Sequence, residues 1–293
     1  MDLSSQQNFD ALQHEGARAS WRSHGPRRRI FLHALVAGAA ASGAGHTLAQ
    51  VDVGRPSRLG KLVPAQMIEE VALEQYQELM EESKTEGTLV AISDPRMQRL
   101  LAIQKRLEPY AAPWNARAAQ WRWEVILISS EDINAFCMPG GKIAFYTGIL
   151  EELKLTDDEA AMVMGHEMAH ALREHSQEEL VKQSAASMGL ALGARLFALG
   201  NVGSLMAKMG TKLLSLRFSR SDEREADLVG LELAARAGYN PQAAISLWQK
   251  MGEATGDDGI GFLSTHPTGP NRIRELERNI PRVQGLYEAS RRR

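Results

Sequence analysis

His166 and His170 stand four residues apart with Glu167 beside the first, inside the run Thr156 to Ser176, TDDEAAMVMGHEMAHALREHS. On a helix, positions i and i+4 lie one turn apart on the same face, so the two imidazoles can converge on one ion. Neutral imidazole binds Zn²⁺ at roughly 2.0 to 2.1 Å, and a catalytic zinc takes one more protein ligand and leaves a position for water. Glu167, adjacent to the first ligand, is placed to take a proton from that water. The plainer alternative is two buried histidines and a buried glutamate held by hydrogen bonds. It has to supply partners for all three, since burying even a neutral unpaired polar group costs on the order of 2 to 7 kcal/mol.

The element that must present these residues is a helix. Thr156 followed three residues later by Glu159 predicts a capping box, and Asp157 and Asp158 put negative charge where the helix dipole favours it. The apolar run from Ala160 to Leu172 predicts a helix buried on most sides. For the third ligand, Glu174 lies eight residues beyond His166, about 12 Å along a continuous helix, too far to share a tetrahedral ion. On that helix His175 faces nearly opposite to His166, which makes it an ordinary surface or core histidine. Arg173 stands where the HExxHxxGxxH pattern has its chain-turning Gly, which disfavours that class.

Downstream, Phe218 to Leu233 predicts a second helix with Ser219 as cap. Packed across the first, it could offer Glu223 as an oxygen ligand, while Asp227, one turn on, accepts the outward N–H of a ligand histidine. Ala226 on the same face is small enough for close approach. The alternative for this stretch is a solvated charged face, to which Arg220, Arg224 and Glu225 belong in part.

The other elements are scaffold. Helices are expected from about Pro64 to Lys84 and from Pro95 to Leu107, the first of them least tied to the rest and able to pack on a partner. Trp121 to Ser130 reads as a strand, with Trp121, Trp123, Val125 and Leu127 alternating against Arg122 and Glu124. Asn134 to Tyr146 reads as strand, turn, strand, and Thr147 to Leu155 as a short helix. In a peptidase, Pro139, Gly140 and Gly141 at a strand edge near the metal could hold an extended substrate as an added strand. A plain hairpin turn explains the same residues. The Gly/Ala/Met-rich segment from Gln183 to Leu216 predicts two helices broken near Gly200, forming a mobile cover over the cleft.

The chain has 293 residues, 44% of them apolar, enough for a real core. A net charge of −2 leaves no footprint for nucleic-acid binding. Residues 1–49 differ in character, with Arg27, Arg28 and Arg29 followed by a short Ala/Gly-rich apolar run, and read as an export signal cleaved after Ala49. The run falls short of the about 20 apolar residues a membrane span needs, so membrane association is expected to be peripheral at most. Arg28 to Leu32 looks like the twin-arginine export pattern. Its removal leaves four histidines, His166, His170, His175 and His266, and the single Cys137 cannot form an internal disulfide. The expected organisation is export signal 1–49, polar linker 50–60, zinc peptidase domain 61–285 with N-terminal helices, and basic tail 286–293.

His166-Glu167-Met168-Ala169-His170 followed by Arg220-Ser221-Asp222-Glu223-Arg224-Glu225-Ala226-Asp227 resembles the HExxH plus R-x-x-E-x-x-A-D pair of the zinc metallopeptidase family that includes HtpX and the CAAX prenyl proteases. The Asn134 to Gly141 segment and Ser264-Thr265-His266-Pro267 with Arg272 resemble its soluble periplasmic BepA and LoiP branch. The resemblance implies an α+β, mostly helical, zincin-like (gluzincin) fold with a small β-sheet. It implies one zinc held by His166, His170 and Glu223, with Glu167 as general base and Asp227, Arg220 and Arg272 supporting the ligands. His266, in the THPTGP turn whose two prolines and glycine would hold it, is expected at the open zinc position or at the developing oxyanion, with Arg272 anchoring its loop; a structural role is the alternative. The substrates implied are misfolded or unassembled envelope proteins in the periplasm, and the possible partner is outer-membrane assembly machinery. The rival is a periplasmic chaperone that binds unfolded outer-membrane proteins with cleavage suppressed.

Overall fold

Thr156 begins the helix on which the fold is built. Its Oγ1 accepts from the Glu159 N–H at 3.3 Å, and the Glu159 carboxylate accepts from the Thr156 N–H at 2.8 Å, so the expected capping box is formed. The structure, a computed structural model, describes residues 51–189, 213–255, 261–267 and 271–292 and a few positions between 192 and 200, all within one compact unit, His46–Arg293. The export signal and most of the expected cover segment lie outside the described residues.

The described helices are α1 (Ala65–Thr85), α2 (Pro95–Leu107), α3 (Thr147–Glu151), α4 (Asp157–Leu172), α5 (His175–Met188), α6 (Arg220–Arg236), α7 (Ala243–Thr255), α8 (Phe262–Thr265) and α9 (Arg272–Ser290). Strands β1 (Glu124–Ile128), β2 (Ala135–Met138) and β3 (Lys142–Tyr146) form a sheet of order β1-β3-β2, with β1 parallel and β2 antiparallel to β3. The fold is mostly helical with one small sheet, as expected.

Both faces of the sheet are covered. Val125, Leu127, Cys137, Ile143 and Phe145 point into the core built on α4, whereas Ile126, Ile128, Phe136, Met138 and Ala144 face Ile68, Ala72 and Tyr76 of α1. This corrects one expectation: the period of two in β1 separates two buried faces rather than core from solvent. The helix α1, expected as the scaffold helix least tied to the rest, packs on the sheet. The stretch expected as a polar linker lies along the domain: Val51 is buried, its N–H donates to the buried Glu232 at 2.5 Å, and the Gly54 carbonyl accepts from Arg173. At the other end α9 runs to Ser290 with Leu286 buried, so the basic residues past the fold begin at Arg291. Among the described residues no helix is long and apolar enough to cross a membrane.

α4 and α6 cross backbone to backbone. A Cβ on Gly165 would come within 2.9 Å of the Gly230 carbonyl oxygen, and one on Gly230 within 2.6 Å of the His166 nitrogen. This contact of two glycines, rather than Ala226 alone, sets the approach of the helices. α6 starts at a second capping box, Ser219 with Asp222, and is buried from Ala226 to Ala235.

Candidate metal centre

At this crossing α4 presents His166 and His170 and α6 presents Glu223, all three buried. The two Nε2 atoms lie 3.1 Å apart, and the Glu223 oxygens lie 3.5 Å from His166 Nε2 and 3.4 Å from His170 Nε2. Donors about 2.0 to 2.1 Å from a tetrahedral zinc sit about 3.3 Å from one another, so this spacing is that of a coordination shell. Both Glu223 oxygens are buried without a hydrogen-bond partner, as are Glu167 Oε1 and His266 Nε2. Native interiors rarely leave a carboxylate so. Nitrogen and oxygen donors with unpaired buried oxygens fit a divalent cation, and the ligand atoms of His166, His170, Glu223 and His266 all lie within 4.8 Å of one another.

The outer atoms of the cluster are held in turn. His166 Nδ1 lies 3.1 Å from Asp227 Oδ1, which accepts from Arg272 at 2.7 Å, and the same guanidinium lies 3.1 Å from Glu223. Arg272 therefore bridges the third candidate ligand and the residue behind the first. Its guanidinium rests on the Trp248 ring, 3.2 Å from the centroid, a cation–π contact that the sequence reading missed. Arg220 does not take a supporting place. As the first residue of α6 it is exposed and lines an open cavity of about 350 Å³ beside the donors.

His175 overturns its expected placement. α4 stops at Leu172, Glu174 turns the chain in the left-handed region at φ 60°, and α5 brings His175 back so that its Nδ1 lies 2.9 Å from His170 Nδ1. The assumption of one continuous helix through Ser176 put this ring on the wrong side.

His266 closes the site from the end of α8. Its ring stacks on Phe262 at 4.1 Å and its Nδ1 lies 3.2 Å from the Phe262 carbonyl. Nδ1 also lies 2.9 Å from the Thr265 hydroxyl, which can donate or accept, and Nε2 faces Glu167 Oε1, 3.6 Å away. The helix turn and the stacked ring hold His266; residues 268–270 of the expected rigid turn lie outside the described residues.

Burial sets the charge states. It pushes Glu167 up to about 8, helped by the Glu223 charge and opposed by His166, Arg272 and a hydrogen bond from the Cys137 backbone. It holds His170 well below the usual histidine range and His266 down to about 3, so both rings are neutral, as ligands must be. At His166 burial works the same way but is outweighed by Asp227 and Glu223, which raise it to about 9.

The strand next to Glu167 is β2 itself. Asn134 to Met138 line a cleft with Glu167, Phe218 and His266, and Leu213 and Leu216 close its outer side. Pro139, Gly140 and Gly141 do not line that cleft. The Gly141 N–H donates to the Met138 carbonyl, Gly140 has φ +83°, and a Cβ on Gly141 would sit 2.8 Å from the Trp123 ring, which makes this a hairpin turn packed on Trp123. The edge strand beside Glu167 is thus β2, and not the turn that follows it.

The family model described as Peptidase family M48 matches residues 98–280, which include the sheet and every candidate ligand. The chain belongs to peptidase family M48. It is 40% identical over 154 residues to mitochondrial metalloendopeptidase OMA1 of Arabidopsis thaliana, covering 53% of this chain and 31% of the relative. It is 38% identical over 172 residues to the OMA1 of Schizosaccharomyces pombe, covering 58% and 50%. The beta-barrel assembly-enhancing protease of Escherichia coli is 26% identical over 217 residues, covering 70% and 43%. The chain thus spans half or less of the length of these relatives. M48 membership makes the domain a zincin-like metallopeptidase domain of the zinc endopeptidase class, consistent with the four-residue cluster.

Proposed function

We propose that this chain is an exported zinc endopeptidase acting on misfolded or unassembled proteins of the bacterial cell envelope. The observation that carries the reading is the buried Glu167 carboxylate, set between the candidate ligands and the cleft-lining strand β2. An extended substrate chain adds to β2, the edge strand that lines the cleft, by displacing Leu213 and Leu216, which brings its scissile carbonyl toward the cluster. His166, His170 and Glu223 hold zinc, which when bound polarises that carbonyl and lowers the pKa of water from 15.7 towards about 7. Glu167 takes the proton from the attacking water and passes it to the leaving amine. Asp227 and Arg272 keep His166 and Glu223 oriented. The test is turnover of casein and of unfolded outer-membrane proteins before and after chelation. Activity is expected to vanish with the chelator and return with zinc, and turnover indifferent to chelation would refute the reading.

The envelope address rests on residues 1–49, with their arginine cluster and short apolar run, which the family match does not include. The E. coli relative carries the name of a beta-barrel assembly-enhancing protease, which accords with the proposed BepA-like branch and outer-membrane assembly partner, whereas the relatives of higher identity carry mitochondrial names. Secretion of a reporter fused to residues 1–55 tests the address, and retention in the cytoplasm would remove it.

One observation favours a second reading, a chaperone with suppressed cleavage. His266 turns Nε2 to the ligand cluster while Leu213 and Leu216 line the cleft beside β2. On the chaperone reading His266→Ala is expected to keep one zinc per chain and to raise turnover several-fold, because it clears a position that water and substrate need; with His266 at the developing oxyanion of an active peptidase, turnover is expected to fall instead. Zinc content and turnover both equal to wild type would leave His266 with a packing role. Suppression of aggregation that survives Glu167→Gln would favour the chaperone.

A further inference from the structure

The two candidate histidine ligands are backed by different chains of groups, and the second chain runs through a residue with no assigned role. Behind His166 stand Asp227 and then Arg272. Behind His170 stands His175, then Glu225, then Arg173: His170 Nδ1 to His175 Nδ1 is 2.9 Å, His175 Nε2 to Glu225 Oε2 is 3.6 Å, and Arg173 donates to Glu225 Oε2 at 2.8 Å. His175 is 2% exposed, and its Nε2 is buried without a hydrogen bond, facing Glu225 Oε2 as an ion-pair neighbour at 3.6 Å. Phe218 stacks on His170 at 4.0 Å and lies 6.2 Å from His175, so neither ring can swing away without breaking that packing.

We propose that His175 is a positioning residue that fixes the tautomer and the ring orientation of His170 through the chain Glu225, His175, His170. The assignment follows from donors and acceptors. When His170 turns Nε2 to the metal, its remaining proton is on Nδ1, and only a partner with a bare nitrogen can accept it. His175 offers that nitrogen at Nδ1 only if its own proton is on Nε2, and Nε2 faces the Glu225 carboxylate. Glu225 therefore selects the tautomer of His175, and His175 selects that of His170. Glu223, Glu225 and Asp227 alternate along the first turns of α6, so one helix supplies a ligand and the acid behind each histidine. Glu174, by turning the chain in the left-handed region, is what returns His175 to this place.

The inference rests on His166, His170 and Glu223 holding zinc, and the experiment separates the two. Zinc affinity is measured on the full purified chain by competition with a chromophoric chelator, and the His170 ring nitrogens are followed by ¹⁵N NMR in the zinc-loaded state. His175→Ala is expected to weaken zinc about 10- to 100-fold, the usual effect of removing a group behind a ligand, and to lose the single protonated-Nδ1 signature of His170. His175→Gln, which restores an acceptor oxygen, is expected to recover most of the affinity, a rescue that mere cavity filling by an apolar residue such as Leu would not give. Melting of the metal-free variants shows whether they fold. Should His175→Ala fail to fold, the part-exposed Glu225 carries the test, with Glu225→Gln expected to weaken zinc several-fold. A wild-type chain that binds no zinc sinks the metal centre itself. Wild-type affinity in His175→Ala, or in Glu225→Gln where that variant carries the test, overturns the positioning role alone.

Discussion

Glu167→Gln is expected to keep the fold and one zinc per chain and to lower peptide turnover by about 10² to 10⁴-fold, the range that a positioned acid–base contributes. The amide matches the carboxylate in size, so the packing among α4, β2 and His266 is undisturbed. It cannot accept a proton from water at neutral pH. It also relieves a local cost, because the metal-free protein buries this carboxylate with Oε1 unpaired and burial pushes its pKa up to about 8. The metal-free variant is therefore expected to melt no lower than wild type, with an advantage that grows as pH rises from the ordinary carboxylate range to about 8 and is constant above it, because over that window the unfolded chain releases a proton that the buried Glu167 keeps. Equal turnover in variant and wild type would remove Glu167 as the proton carrier.

Gly230→Ala is expected to damage both fold and metal binding, although it adds one methyl group. The new Cβ would meet His166 N at 2.6 Å, Gly165 C at 2.7 Å and His166 Cα at 2.9 Å. All three belong to the backbone of α4, so no side chain can give way and α6 has to move as a whole. Glu223 and Asp227 lie on the two turns before Gly230, and displacing α6 carries the third ligand away from the two imidazoles. Overpacking of this kind costs about 1 to 3 kcal/mol, a fall in Tm of roughly 2 to 12 °C for a domain of this size, with weaker zinc binding in parallel. Gly252→Ala in α7 is the control. Nothing lies within 4 Å of its Cβ, and a helical Gly to Ala change there is expected to stabilise by about 0.5 to 1 kcal/mol. If calorimetry and chelator competition find Gly230→Ala indistinguishable from wild type, the backbone contact of α4 and α6 is not what joins the ligands.

What could be read from the sequence follows the range of the forces involved. The i, i+4 histidines, the capping box at Thr156, the cap at Ser219 and the spacing of Glu223 and Asp227 are local patterns, and each stands where it was expected, with Asp222 completing a second capping box that was not foreseen. The turn at Glu174 was not legible, because a non-glycine residue in the left-handed region leaves no compositional mark, and His175 was misplaced with it. A second histidine five residues past His170, with an acid at 225 between two acids already assigned roles, was the signal available. Arg272 and Trp248 come from helices distant in sequence, and only packing brings the guanidinium between Glu223 and Asp227. Pro139 to Gly141 were overread for a similar reason. Turn chemistry is visible in a sequence, but which side of the strand faces the metal is decided by α4.

The account rests on one cation shared by His166, His170 and Glu223, and metal analysis of the purified chain beside Glu223→Ala tests it most directly. One zinc per chain is expected in the wild type and a loss of most of it in Glu223→Ala, with the variant still folded. A wild-type chain free of divalent metal after purification without chelator, or a Glu223→Ala chain that keeps its full zinc, would contradict it.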